Sequence, residues 1–327
     1  MVKSGGVIIL KKAIVLGATG GMGSALVYEL IDRGVQVTAF ARGTEKLHQL
    51  FSGDPLVEIY EGDAFSGKDL DHAVNGNEVV FHAINLPYAN WHTKLLTLTK
   101  NIIASAEKNN AKLAIVDNIY SYGKSHGENV KENDPKQPHT KKGKLRLHME
   151  SLYKQSNVPY VIAHFPDFYG PYAENSFINF TLTKMVTHEK AKYVGDLSIA
   201  REYIFTPDGA KALVDLASIK KAYNQNWNIP GYDVITGQEI IRLTRTFTGC
   251  SEKVSSVSKN MLRFAGLFNR QMREMVELYY LNEEPVILDG SKYEKNIGSL
   301  PKTPYEIGIK QTIQAISFNE KNFTHKK

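Results

Sequence analysis

The stretch Ala13-Ile-Val-Leu16-Gly17-Ala-Thr19-Gly20-Gly21-Met22-Gly23 decides the fold. Four apolar residues make a short strand, and the glycine-rich turn after it opens a helix in which Met22, Leu26, Val27 and Leu30 recur at helical spacing. Gly34 stands where a left-handed residue closes such a helix. The spaced glycines have separate tasks. Gly17 permits a tight turn, Gly20 lets the backbone approach a pyrophosphate, and Gly23 lets helix and strand pack closely. The N–H groups at the helix start then point at the phosphates. Glycines alone would make only a structural turn; strand, turn and helix in this order imply a dinucleotide site.

Outward from that loop, short β-rich runs alternate with helical patterns through the first 165 positions, which predicts a parallel sheet with helices on both faces. The strands are predicted at Ala13 to Leu16, Val35 to Ala41, Leu56 to Tyr60, Glu78 to Ile84, Lys112 to Asp117 and Val158 to Phe165. Trp91 to Lys108 and Pro138 to Gln155 form long helical segments, the second strongly basic at its start. Further on, Thr206-Pro207-Asp208 is predicted to cap a helix through Ala217, and Thr236-Gly-Gln-Glu239 has the capping-box form. Residues 258–282 are predicted helical and aromatic-rich, and a last helix from about Tyr305 to Phe318 follows Pro301 to Pro304. The expected class is α/β: a Rossmann-type doubly wound parallel sheet with a smaller, mainly helical C-terminal substrate lobe. The expected division is 11–170 for the NAD(P)-binding domain, with return elements from about 200–235, and 171–327 for the lobe.

Composition narrows the function classes. Hydrophobic residues at 42% and charged residues at 23% are ordinary for a globular chain of 327 residues. The net charge of +6 comes from scattered lysines, with clusters at Lys141, Lys142, Lys144 and Arg146 and at Lys326-Lys327. No basic stripe interleaved with aromatics accompanies them, so nucleic acid is not expected as a partner. Cys250 is the single cysteine and no Cys/His cluster has metal spacing, which argues for a reducing compartment and no metal. After Lys3, the apolar run Val7 to Leu10 is too short for a signal peptide, and no stretch of 18 apolar residues spans a membrane. The expectation is a cytoplasmic protein with a small-molecule substrate, no membrane partner, and a homodimer as its assembly.

The second strand ends in Phe40-Ala41-Arg42-Gly43, without the Asp or Glu that would hold the ribose hydroxyls of NAD. Arg42 can pair with a 2′-phosphate, which favours NADP(H) over NAD. The alternative is a solvated loop arginine.

These residues, taken together, resemble the extended or atypical short-chain dehydrogenase/reductase superfamily, in its NAD-dependent epimerase/dehydratase-like branch. The loop 17–23, Glu61-Gly-Asp63-Ala64, His82-Ala83-Ile84-Asn85, Tyr169-Gly-Pro171 and Arg201-Glu-Tyr-Ile204 carry the resemblance over about residues 13–220. It implies cofactor contacts from Gly17, Thr19, Gly20, Gly21, Met22, Gly23, Arg42, Asp63, Ala64, Ala83, Asn85 and Asn118. It also implies a Ser or Thr after the fifth strand and a Tyr and Lys four residues apart on the next helix. The Tyr moves the proton, and the Lys lowers its pKa.

Here Asn118 stands in the Ser/Thr position, Lys142 in the Tyr position and Arg146 in the Lys position, while His164 replaces an arginine usual after the sixth strand. Lys142 becomes the candidate proton donor if Arg146, one turn on, depresses its pKa by like-charge repulsion. The opposing view is a basic, solvated face that has lost catalysis. Asn118, Lys142, Arg146 and Tyr120 are the candidate catalytic residues; Tyr88, Trp91 and Tyr169 are the candidate substrate contacts. The function expected is an NADP(H)-dependent oxidoreductase acting on a small carbonyl or alcohol. The alternative is a non-catalytic NADP(H)-binding sensor.

Overall fold

The structure, a computed structural model, describes residues 6–324, so Lys3 and Lys326-Lys327 lie outside it. The first half builds β1 (Lys12–Leu16), α1 (Gly21–Asp32), β2 (Gln36–Ala41), α2 (Thr44–Phe51), β3 (Val57–Glu61), α3 (Gly67–Val74), β4 (Val79–His82) and α4 (Tyr88–Lys108). Then come β5 (Lys112–Asn118), α5 (Lys141–Gln155) and β6 (Tyr160–Phe165). The second half adds β7 (Asp167–Tyr169), α6 (Phe177–Val186), β8 (Ala191–Val194), β9 (Ala200–Phe205), α7 (Thr206–Ala217), β10 (Gln225–Asn228) and β11 (Val234–Thr236). It closes with α8 (Gly237–Thr248), β12 (Val254–Val257), α9 (Lys259–Phe268), α10 (Arg270–Met275), α11 (Tyr280–Glu283), α12 (Ser291–Asn296) and α13 (Tyr305–Thr324).

Seven strands form one parallel sheet in the order β10-β6-β5-β4-β1-β2-β3. All six predicted strands are in it, with ends shifted by up to two residues. The seventh, β10, arrives from beyond residue 220 and pairs with β6. Alternation along the strands splits the core: Ala13 and Val15 pack with α1, α2 and α7, while Ile14 and Leu16 pack with α3, α4 and α5. Because strand order reverses between β1 and β4, a crevice opens there at the carboxyl ends of the strands.

Beyond the sheet, β11-β9-β7 and β12-β8 make two small sheets backed by α6, α8 and α13, so the lobe is mixed rather than purely helical. Thr236 and Glu239 form the predicted capping box of α8. One predicted cap is corrected. Phe205, not Thr206, is the N-cap of α7, because the Thr206 hydroxyl is buried where a β-carbon on Gly170 would come within 2.2 Å of it. The helical stretch 258–282 is broken into α9, α10, a 3-10 turn at Val276–Leu278 and α11. Among the described residues no helix is long and apolar enough to cross a membrane.

Candidate active site

The loop after β1 has the shape a pyrophosphate requires. Gly17 has φ +84°, and a β-carbon there would meet the backbone of Ala83 and Ile84 at 3.0–3.1 Å. On Gly23 it would lie 2.0 Å from the Gly17 carbonyl, so only glycine lets α1 pack on the strand. At Gly20 it would touch nothing closer than 3.5 Å, so the protein leaves the space above this residue open. Gly20 is also the N-cap of α1 and no side chain caps the helix, nor is any acid in its first turn. Positive partial charge therefore faces this space, which fits a dinucleotide phosphate. Gly21 packs on Ala173, and the Met22 side chain is buried against Gly209, so both offer only backbone to a ligand. Thr19 is half-buried beside them.

Around the crevice, Ala83 N–H donates to the Leu16 carbonyl at 3.0 Å, and Asn85 is exposed. Exposed Asp63 accepts from Phe65 N–H at 3.0 Å, and the Ala64 carbonyl accepts from Asn101. Arg42 is exposed at the start of α2. Its neighbour was not legible from local spacing: the Thr44 hydroxyl donates to the Glu61 carboxylate, which brings a negative charge to the same corner.

Under the crevice lies a buried polar network. Asn118 ends β5; its Oδ1 accepts from Tyr120 N–H at 3.1 Å, which leaves the amide Nδ2 as a donor. Lys136 donates to His164 Nε2 at 2.8 Å and also to Glu150. An ammonium has only donors, so His164 Nε2 accepts and its Nδ1–H donates to the Asn118 carbonyl at 3.2 Å. Burial and the neighbouring Lys136 charge push His164 down to about 3, keeping it neutral. Burial alone would raise Glu150, but the imidazolium of His164 at low pH, the Lys136 charge and hydrogen bonds from Lys136 and Lys154 outweigh it and hold the carboxyl at about 2. Asp117, Glu150 and His164 converge closely enough to ligate a metal, yet Lys136 already supplies their cation.

Arg146 is 5% exposed, 3.2 Å from Asp117, with its guanidinium 4.3 Å over the Trp91 ring. Lys142 is also buried, and its ammonium is held at 2.6 Å by both Glu274 and Glu277, from α10 and the turn after it. The like-charge environment expected for Lys142 is thus replaced by two carboxylates, and neither Lys142 nor Arg146 lies on a solvated face. Sequence spacing could not place Glu274 and Glu277, which lie more than 130 residues away.

A narrow cavity is lined by Tyr88, Tyr120, Asp167, Arg201, Leu262 and Asn282 among others. The Tyr88 and Tyr120 hydroxyls meet at 2.8 Å, and burial raises both phenols, Tyr88 to about 12, so both stay protonated. Arg201 spans Asp167 at 2.6 Å and Asn282 at 2.5 Å. Of the three expected substrate contacts, Tyr88 lines the cavity. Trp91 and Tyr169 do not: each is about fully buried, Trp91 donating to the Leu86 carbonyl and Tyr169 packing on Phe205 and Tyr305. The missed residues are Asp167, Asn282 and Lys136; the only available signal was a charged or amide side chain inside an otherwise apolar or turn-rich stretch.

A glycine loop against a helix N-terminus, at the switch point of a doubly wound sheet, defines a dinucleotide-binding protein of the Rossmann type. Residues 17–202 match the NAD(P)H-binding family, and the chain belongs to it. Over 94–95% of its length the chain has the fold of solved sugar-nucleotide epimerases and dehydratases. It is 25% identical to a UDP-N-acetyl-alpha-D-glucosaminuronate decarboxylase of Bacillus cytotoxicus, across 93% of this chain and 97% of that one. UDP-glucuronic acid 4-epimerase from Bacillus cereus, solved with NAD, superposes with a TM-score of 0.77 at 18% identity, covering 94% of this chain and 99% of that one. dTDP-glucose 4,6-dehydratase from Bacillus anthracis, also with NAD, gives 0.77 at 17% identity, covering 95% and 98%.

Proposed function

We propose that the chain is an NAD(P)-dependent enzyme of the epimerase/dehydratase type acting on a nucleotide sugar. The observation that carries this is the cavity at the carboxyl edge of the sheet, which two paired phenols and Arg201 line together. The chain-long similarity to a nucleotide-sugar decarboxylase supports the substrate class. When bound, the nicotinamide supplies the hydride acceptor or donor. Tyr120, kept protonated, and Asn118 Nδ2 donate hydrogen bonds to the substrate oxygen that gains charge. Lys142 exchanges the proton at that oxygen in the state in which Glu274 and Glu277 release it, and Arg146 positions Trp91 and the helix beneath. The dinucleotide domain is assigned to 11–170 with the return elements of 200–235, and the substrate lobe to 171–327.

The test is turnover. Purified protein incubated with NAD or NADP and a panel of UDP- and dTDP-linked sugars and uronic acids is expected to give a new sugar nucleotide by NMR. Tyr120→Phe should lower kcat at least about 100-fold. No product with any member of the panel overturns the proposal.

Arg42 favours NADP(H); the Glu61 carboxylate at Thr44, and NAD in both solved relatives, favour NAD. We assign NADP(H), and Arg42→Ala should weaken NADP binding about tenfold or more by calorimetry while leaving NAD unchanged. Equal loss for both nucleotides overturns that assignment. A second reading, a sensor that binds the nucleotide without turnover, is favoured by the two carboxylates that occupy Lys142. Its mark is nucleotide binding with no product.

A further inference from the structure

Helix α9 roofs the cavity with Leu262 and turns a second apolar face outward. Met261, Phe264, Leu267 and Phe268 share that outer face, and they are 50%, 67%, 70% and 83% exposed. Phe264 and Phe268 rest only edge to face on each other, with centroids 5.7 Å apart. Exposure of four large apolar side chains on one short helix marks a contact surface rather than chance. Charge says with what. Between Glu252 and Glu274 the sequence has no carboxylate, and Arg263, Arg270 and Arg273 are all exposed. Glu274 itself is neutralised by Lys142.

We propose that α9 and the start of α10 seat this protein on an anionic lipid surface, with the apolar face among the acyl chains and the arginines at the headgroups. A second copy of this chain fits poorly, because a symmetric contact through this face would bring arginines against arginines. Peripheral seating needs no membrane-spanning helix. Phe177, which lines the same cavity as Leu262, is itself 36% exposed, so the seated face lies beside the cavity.

The experiment is co-sedimentation of the full chain with vesicles of phosphatidylcholine alone or mixed with phosphatidylglycerol. The wild-type protein is expected to pellet with the mixed vesicles, less with the neutral ones, and less again at high salt. Phe264→Ser with Phe268→Ser should weaken vesicle binding at least about tenfold, with an unchanged thermal transition because both side chains are exposed. Arg263→Glu with Arg273→Glu should abolish the preference for phosphatidylglycerol. Wild-type protein that stays in the supernatant with both vesicles overturns the proposal. So does a phenylalanine variant that pellets like the wild type. A dimer in sedimentation velocity that the phenylalanine variant dissolves would assign the face to a second copy and also overturn it.

Discussion

Lys136 shows how much one side chain decides here. Its ammonium is the shared donor of His164 and Glu150, and it lies 4.5 Å over the Tyr122 ring. Removing it leaves a carboxylate that is 2% exposed with the partly exposed Lys154, the Asn226 amide and His164 Nε2 at 3.6 Å as its remaining neighbours. Lys136→Met should therefore destabilise the fold by about 3 kcal/mol in urea unfolding, at the lower end for a broken buried pair because Lys154 remains. A loss under ~1 kcal/mol would show that Lys154 alone suffices. None of this was legible in Asn133-Asp-Pro-Lys136-Gln-Pro138, which reads as a turn. The cofactor loop was legible to the residue, because its glycines answer to local backbone geometry; Lys136 answers to strands more than 20 residues off.

Elements were predicted well where a periodic apolar pattern and a local cap agree, as in α1 and α8. They were predicted poorly where tertiary contacts rule. Residues 259–283 carry a helical pattern, but their job is to cover Tyr88, Tyr120 and Lys142, and the backbone breaks three times to follow that surface. The cavity beneath holds about 20 Å³, room for about one water, so the proposed function requires this segment to lift before a substrate enters. The two glutamates on Lys142 are its latch. Glu274→Gln with Glu277→Gln should speed amide exchange across 259–283 at least about fivefold by mass spectrometry, while α1 and β1 stay protected. Unchanged exchange would mean that Leu262, Met275 and Leu278 alone hold the cover down.

At the scale of the whole molecule, buried charge sets the acid limit. Glu150 at about 2 and His164 at about 3 lie below their ordinary values of 4.5 and 6.5, so the folded state holds fewer protons and their contribution is lost as pH falls. Glu202, buried while accepting from Gly231 and Leu288, is raised by burial from 4.5 to about 7, so its contribution is lost as pH rises through that value. Between about 4.5 and 6.5 the His164 and Glu202 effects oppose each other. Stability should be level there, then fall toward pH 3, as urea midpoints across pH would report. A level profile down to pH 3 contradicts the buried network. Sheet order makes a second demand. Since β10 caps β6 and Trp227 is 1% exposed in the core, a fragment ending at residue 222 should show no cooperative thermal transition. A sharp transition in that fragment would show that six strands suffice. Cys250, finally, is sealed at 1% exposure among Met185, Ala191 and Ile241. A maleimide can reach this lone thiol only when the lobe around it breathes, so its alkylation rate is a stopwatch for that opening, already built into the native chain.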